Sequence, residues 1–141
     1  MTTTNMSAES TIPANMRRRG LHTALWAIQI LLAVFFVLAA LPKLAGRHAA
    51  VESFAKIGLG QWFRYFIAAC ELAGAIGLII PRLSGVAATA LVGLMIGATI
   101  TNLFVTSPAT APLTIMLGLV FVFIAWQRRA ETKALVHMLK R

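Results

Sequence analysis

Long runs of apolar residues, separated by short polar segments, dominate the chain. Two of these runs lie between charged residues: 23 uncharged positions separate Arg19 from Lys43, and 45 separate Arg82 from Arg128. A helix that crosses a membrane needs about 20 residues, and a cluster of Pro, Ser and Thr at 106–112 divides the longer interval into two. The pattern therefore predicts four membrane-spanning helices, which are placed near residues 22–41, 62–80, 84–104 and 109–126.

The segment between the first two spans has a helical pattern of its own. Leu44, Val51, Phe54 and Ala55 recur at helical spacing with charged residues between them, which is typical of a short amphipathic helix in the membrane interface. The predicted fold is therefore all-α: an integral membrane four-helix bundle with an interfacial helix between its first two spans.

The remaining boundaries follow from local composition. Residues 1–19 are polar and end in arginines, which predicts a disordered, basic-ended tail. Residues 20–128 form the four-span domain, and residues 129–141 form a basic cytoplasmic tail. Pro42 is expected to end the first span, because proline does not donate to the helical hydrogen-bond ladder.

Composition excludes a soluble protein. Of the 141 residues, 59% are apolar and 12% are charged, against roughly 45–50% and about 25% in soluble domains. The net charge of +9 would suggest nucleic acid in a soluble chain, but here the cations flank apolar runs, where they indicate topology and contacts with anionic lipid headgroups. A single cysteine excludes an intrachain disulfide and a paired-cysteine redox motif.

The distribution of Lys and Arg predicts the orientation. Nine lie on the side of the two termini and four on the other side, so both termini are expected in the cytoplasm, with the chain in a bacterial inner membrane. The alternative is that Arg17–Arg19 and the first span form a secretory signal of twin-arginine type. That run is longer than the apolar stretch of about 7–15 residues in a signal peptide.

Glu71 is the only acidic residue within any predicted span. A carboxylate in the membrane is costly, so it is expected to face the bundle interior and to pair. Lys43 is the predicted partner because it closes the first span on the side where the second begins. Arg64 competes for this role. Asn102 and Gln29 are the remaining polar groups inside the spans, and interhelical hydrogen bonding is the role expected of them by default. The site is either a structural link between helices or a ligand, quinone or proton site.

Small residues predict close helix packing. Gly93 and Gly97 form a GxxxG motif within a four-residue repeat in the third span, and Gly74 and Gly77 offer a similar surface on the second. Such residues let helix backbones approach in a membrane. The pattern predicts tight packing at these four glycines and leaves open whether a homo-oligomer forms.

Residue types that bind metals or haem are poorly placed. His22, His48 and His137 fall at span ends or outside the spans, whereas membrane haem sites need axial side-chain ligands. The sequence also lacks a His, Cys and Asp pattern with metal-ligand spacing. No metal site and no self-contained active site are predicted, which favours a non-catalytic role and leaves the question of an enzyme open.

The order of these features resembles the DoxX-like family of small four-helix membrane proteins, over residues 23–128. The resemblance is carried by six segments: Leu25-Trp26-Ala27-Ile28-Gln29, Pro42-Lys43-Leu44, Phe54-Ala55-Lys56-Ile57-Gly58-Leu59, Trp62-Phe63-Arg64-Tyr65, Glu71-Leu72-Ala73-Gly74-Ala75-Ile76-Gly77-Leu78 and Met95-Ile96-Gly97-Ala98. It implies an inner-membrane protein, and the family's founding members are similar to membrane subunits of thiosulfate:quinone oxidoreductases. A quinone cofactor and a redox-protein partner are implied by this resemblance alone.

Two functions are consistent with these features. The first is an accessory or anchoring subunit associated with a quinone-linked redox partner. The alternative is a small proton-coupled transporter or permeability factor that uses Glu71. Small multidrug-resistance transporters are similar in having four short spans and one key glutamate, but theirs lies in the first span.

Overall fold

The computed structural model describes residues 13–141, and all regular structure in that part of the chain is helical. The helices are α1 (Ala14–Leu44), α2 (His48–Ile57), α3 (Gln61–Ile79), α4 (Ser84–Phe104), α5 (Ala111–Gln127) and α6 (Arg129–Leu139), with one 3₁₀ turn at Pro108–Thr110 before α5. The helices α1, α3, α4 and α5, the last together with its 3₁₀ turn, are long and apolar enough to cross a membrane. The prediction of an all-α chain with four candidate spans and a short helix between the first two is confirmed.

The first helix is longer at both ends than the sequence predicted. Residues 1–12 of the predicted disordered tail lie outside the described residues, but α1 already begins at Ala14, where alanine, methionine and arginine favour a helix. At the other end α1 continues through Pro42 to Leu44. Proline removes a single N–H there, and the ladder is re-established when the Ala45 amide donates to the Leu41 carbonyl at 2.8 Å.

The two short helices lie at opposite ends of the bundle. Helix α2 buries only Phe54, whose ring lies 5.9 Å from that of Phe63 at the start of α3. Gly58 ends α2 with φ at +79°, a conformation that favours glycine. Most of the segment 129–141, predicted as a basic tail, is helical: α6 ends at Leu139 and packs on the beginning of α4 near Gly85.

The bundle consists of two antiparallel helix pairs, α1 with α3 and α4 with α5, joined where α3 meets α4. Near the loop that joins α3 to α4, the contact between the pairs is very close. A Cβ atom added at Gly74 would lie 2.6 Å from Leu91, and one added at Gly77 would lie 2.7 Å from Ala87. Gly74 and Gly77 therefore lie where α3 and α4 approach each other closely.

Within residues 13–141, no other helix packs against Gly93 or Gly97, so tight packing at these two glycines stays a prediction. A Cβ atom added at either glycine would meet nothing within 4 Å, and both residues line a cavity. Farther along α4 from the Leu91 contact, no backbone lies against these glycines, because α3 and α4 separate there. The repeat of small residues continues along α4, but the helix contact ends partway along it.

We expect this difference between the glycines to appear in the stability of the protein. Gly74→Leu should lower the free energy of unfolding by about 1–3 kcal/mol or more, because the new side chain overlaps Leu91. Gly97→Leu should be neutral or stabilising by up to about 1 kcal/mol, since it enters open space and leucine favours helix. Unfolding of both variants in one detergent measures this, and an equal loss at Gly97 would contradict the separation of α3 and α4.

Candidate functional site

A cavity of about 700 Å³ lies between the two helix pairs where they separate. It is at the end of the bundle that carries α2 and the turn before α5, and all four spans and α2 contribute to its walls. Most of the lining is aliphatic or aromatic, including Phe36, Phe63 and Phe66. The charged groups in the wall are Lys43 and Glu71, the two residues that the sequence predicted to pair.

Lys43 and Glu71 form an ion pair between α1 and α3, as the sequence predicted. The Lys43 ammonium donates to both carboxylate oxygens of Glu71, at 2.7 and 2.8 Å, and to the Ala39 carbonyl at 3.2 Å. The side chain of Glu71 is 8% exposed and that of Lys43 is 20% exposed. Each charge therefore compensates the other inside the bundle, while the lysine keeps some access to the cavity.

Arg64, the predicted competitor for Glu71, binds elsewhere. Its guanidinium donates to the backbone carbonyl of Lys43 and, at 2.8 Å, to the side-chain oxygen of Gln61. It also lies 4.3 Å from the ring centre of Tyr65 and is almost fully buried. A cation at the carboxyl end of a helix satisfies a carbonyl that the ladder leaves free and interacts favourably with the helix dipole. Arg64 thus holds the end of α1 that carries Lys43.

Asn102 and several hydroxyl groups complete the polar part of the cavity wall. Asn102 and Thr101 come from the end of α4, and Thr114 comes from the start of α5. The hydroxyls of Thr99 and Thr114 are 2.8 Å apart, which links α4 to α5 beside the cavity. The structure therefore brings Asn102 to the same cavity as the ion pair.

A second polar cluster, at the opposite end of the bundle, was not predicted as a unit. Gln29 is fully buried; its amide donates to the Leu78 carbonyl at 2.9 Å, and its oxygen accepts from Arg128 at 2.9 Å. Arg128 also donates to Glu131 at 2.7 Å. The cluster connects α1, α3 and the junction of α5 with α6, where the apolar contacts between the helix pairs are also closest.

The signal for this second cluster is present in the sequence. Gln29 is a polar residue in the middle of an apolar span, and an amide there needs a partner. Arg128 follows the fourth span at the matching end, with Glu131 one helical turn later. The sequence indicates Arg128 only as a topology signal, because sequence alone does not show that the α5–α6 junction turns it inward.

The site offers hydrogen bonding and charge rather than metal coordination. Within residues 13–141, no three or more His, Cys, Asp and Glu side chains are grouped so that they could hold a metal ion. In the cavity wall, the Lys43 ammonium can donate to a carbonyl oxygen, and the Glu71 carboxylate can accept from a hydroxyl. The surrounding rings provide flat apolar surfaces on which a planar group can stack.

The chain belongs to the DoxX-like family, whose model matches residues 27–126. The matched region includes the four candidate spans except the beginning of α1 and the last residue of α5, and it includes both polar clusters apart from Arg128 and Glu131. Searches of curated proteins and of solved structures give no match. The family and the four apolar helices together establish a multi-pass membrane protein.

Because Lys43 and Glu71 form an ion pair, we expect their mutations to have non-additive effects on the free energy of unfolding. Glu71→Gln or Lys43→Met alone leaves one buried charge without its partner, and each should cost about 3–5 kcal/mol. The double variant should cost less than the sum, with a coupling of about 1 kcal/mol or more. Unfolding of the four proteins in one detergent measures the cycle, and strict additivity would contradict the pair.

Proposed function

We propose that this chain is a non-catalytic subunit of the bacterial inner membrane that binds a lipid-soluble quinone and serves a quinone-linked redox partner. The observation that carries the proposal is the cavity of about 700 Å³ that places an ion pair beside aromatic walls. Ligand sites in proteins are mostly apolar, with a few polar groups that orient the ligand, and this cavity has that composition.

The chemistry of a quinone matches the groups in the wall. A quinone carbonyl oxygen is an acceptor for the Lys43 ammonium, and a quinol hydroxyl is a donor for the Glu71 carboxylate. The ring would lie among Phe36, Phe63 and Phe66, which line the cavity. Both redox forms of such a ligand therefore have a hydrogen-bond partner in the same pair.

The proposed partner follows from the small part of the chain outside the spans. Beyond the candidate spans, the described chain adds mainly α2 with 10 residues and α6 with 11. The family resemblance supplies the link to a redox partner, and in this proposal the partner carries the electron-transfer centres. The chain itself would hold the quinone within the bilayer.

A second candidate function is a proton-coupled transporter or permeability factor. The position of Glu71 favours it, because the carboxylate lines a cavity instead of being enclosed between two helices. Intramembrane carboxylates often belong to proton or substrate pathways. Substrate-dependent proton flux in proteoliposomes, lost in Glu71→Gln, would support this candidate over the subunit.

Quinone binding can be measured on the purified chain in lipid nanodiscs. A benzoquinone with a ten-carbon chain, the probe, should bind and quench tryptophan fluorescence. Under conditions in which its unfolding curve shows that it is folded, Lys43→Met should weaken binding about tenfold or more, as expected for the loss of one hydrogen bond to a charged group. Glu52→Gln is the matched control, because Glu52 is exposed on α2 and outside the cavity. Absence of saturable binding to the wild type, or equal weakening in both variants, would refute the proposal.

The proposed orientation, with both termini in the cytoplasm, has a separate test. It is supported by the nine Lys and Arg residues on the side of the termini against four on the side of α2. Reporter fusions after Arg141 and within α2 should give opposite signals, cytoplasmic for the first and periplasmic for the second. A periplasmic signal after Arg141 would refute this orientation.

A further inference from the structure

The cavity has an opening on the side of the bundle where α3 and α4 separate. Gly93 and Gly97 of α4 line the cavity and are also exposed, and the space in front of each glycine is free of other atoms within 4 Å. On the α3 side, Phe66 lines the cavity and is likewise exposed. Residues that belong to the cavity wall and to the outer surface at once mark an opening of the cavity, and those on α3 and α4 mark the mouth between these two helices.

This mouth faces the bilayer. It lies between two helices that are candidate membrane spans, and the exposed side chains that flank it on α4, Ile96 and Ile100, are apolar. A surface of this kind, in the middle of a spanning helix, is in contact with lipid chains.

Helix α2 covers one side of the cavity end toward the membrane surface, and the polar turn before α5, with Thr110 exposed, forms the other side. Helix α2 places Phe54 in the cavity wall, with its ring against Phe63 and almost no exposed surface. Gln61 at the start of α3 donates to the Val51 carbonyl of α2 at 3.3 Å. A ligand that came from water would have to pass α2 or the polar turn at Thr110, whereas a long apolar ligand that came from the bilayer would find the gap at Gly93 and Gly97 open.

The ion pair restricts which ligand head groups can bind in the cavity, according to their charge. Lys43 and Glu71 already neutralise each other at 2.7 Å. A charged head group would compete for one of them and leave the other buried without a partner, which is strongly unfavourable. An uncharged head group with carbonyl or hydroxyl oxygens can bind to the pair without separating it.

We infer that the ligand is a long-chain lipid with an uncharged, oxygen-bearing head group, which enters sideways from the bilayer between α3 and α4. Its head group lies at Lys43 and Glu71, and its chain leaves the cavity past Gly93 and Gly97. The inference rests on the proposed function, because it assigns the ligand class and the entry route of the same cavity.

The test compares two probes on the full chain in nanodiscs: a benzoquinone with a ten-carbon chain and the same head group without the chain. Gly97→Leu should weaken binding of the long-chain probe about tenfold or more and change binding of the chainless probe less than about twofold. Gly93→Leu should act in the same direction. Ala90→Leu is the matched control, because Ala90 is an exposed small residue on α4 that does not line the cavity.

The outcomes separate the two proposals. Unchanged binding of the long-chain probe in both glycine variants, or equal loss of both probes, would overturn the lateral route and leave quinone binding standing. Failure of both probes to bind the wild type would overturn quinone binding and the inference with it. Thermal unfolding of each variant shows that it is folded, and the two glycine positions provide independent tests of the same opening.

Discussion

Polar groups in a bilayer must find their partners inside the protein, and this constraint accounts for most of the arrangement of the chain. The clearest case is the carboxylate of Glu71, which in hydrocarbon has no water to solvate it. Lys43 reaches it from the end of α1, and Arg64 in turn binds the carbonyl of Lys43. One buried acid thus determines how α1 ends, which face of α3 turns inward, and where the polar part of the cavity lies.

The two ends of the bundle satisfy the same constraint in different ways. At one end, Gln29 and Arg128 are hydrogen-bonded beside the close contacts of Gly74 and Gly77, and the helix pairs are held together. At the other end, the Lys43–Glu71 pair connects α1 to α3, and among the polar contacts of residues 13–141 none joins these two helices to α4 across the cavity. The difference explains why the bundle is closed at one end and hollow at the other.

Much of this architecture could be predicted from the sequence, because span length and charge placement are local properties. The partner of Glu71 was also predictable, since Lys43 is a long cationic side chain at the matching end of the preceding span. The role of Arg64 was not, because its acceptor is a backbone carbonyl that becomes available only where α1 ends. Gly93 and Gly97 show a further limit: a glycine that admits a neighbouring helix and a glycine that borders a cavity have the same sequence pattern. Only the three-dimensional packing of the helices distinguishes them.

The medium explains why an opening of this kind is tolerable. In water, an apolar gap between helices exposes apolar surface at a free-energy cost of about 25 cal/mol per Å². This cost favours collapse of the helices onto each other. In a bilayer, lipid chains are as apolar as leucine and fill such a gap at little cost, so helix association there depends on close packing and polar contacts. Packing at Gly74 and Gly77 and the two polar clusters hold the fold, and the wall at Gly93 and Gly97 is free to remain open toward lipid.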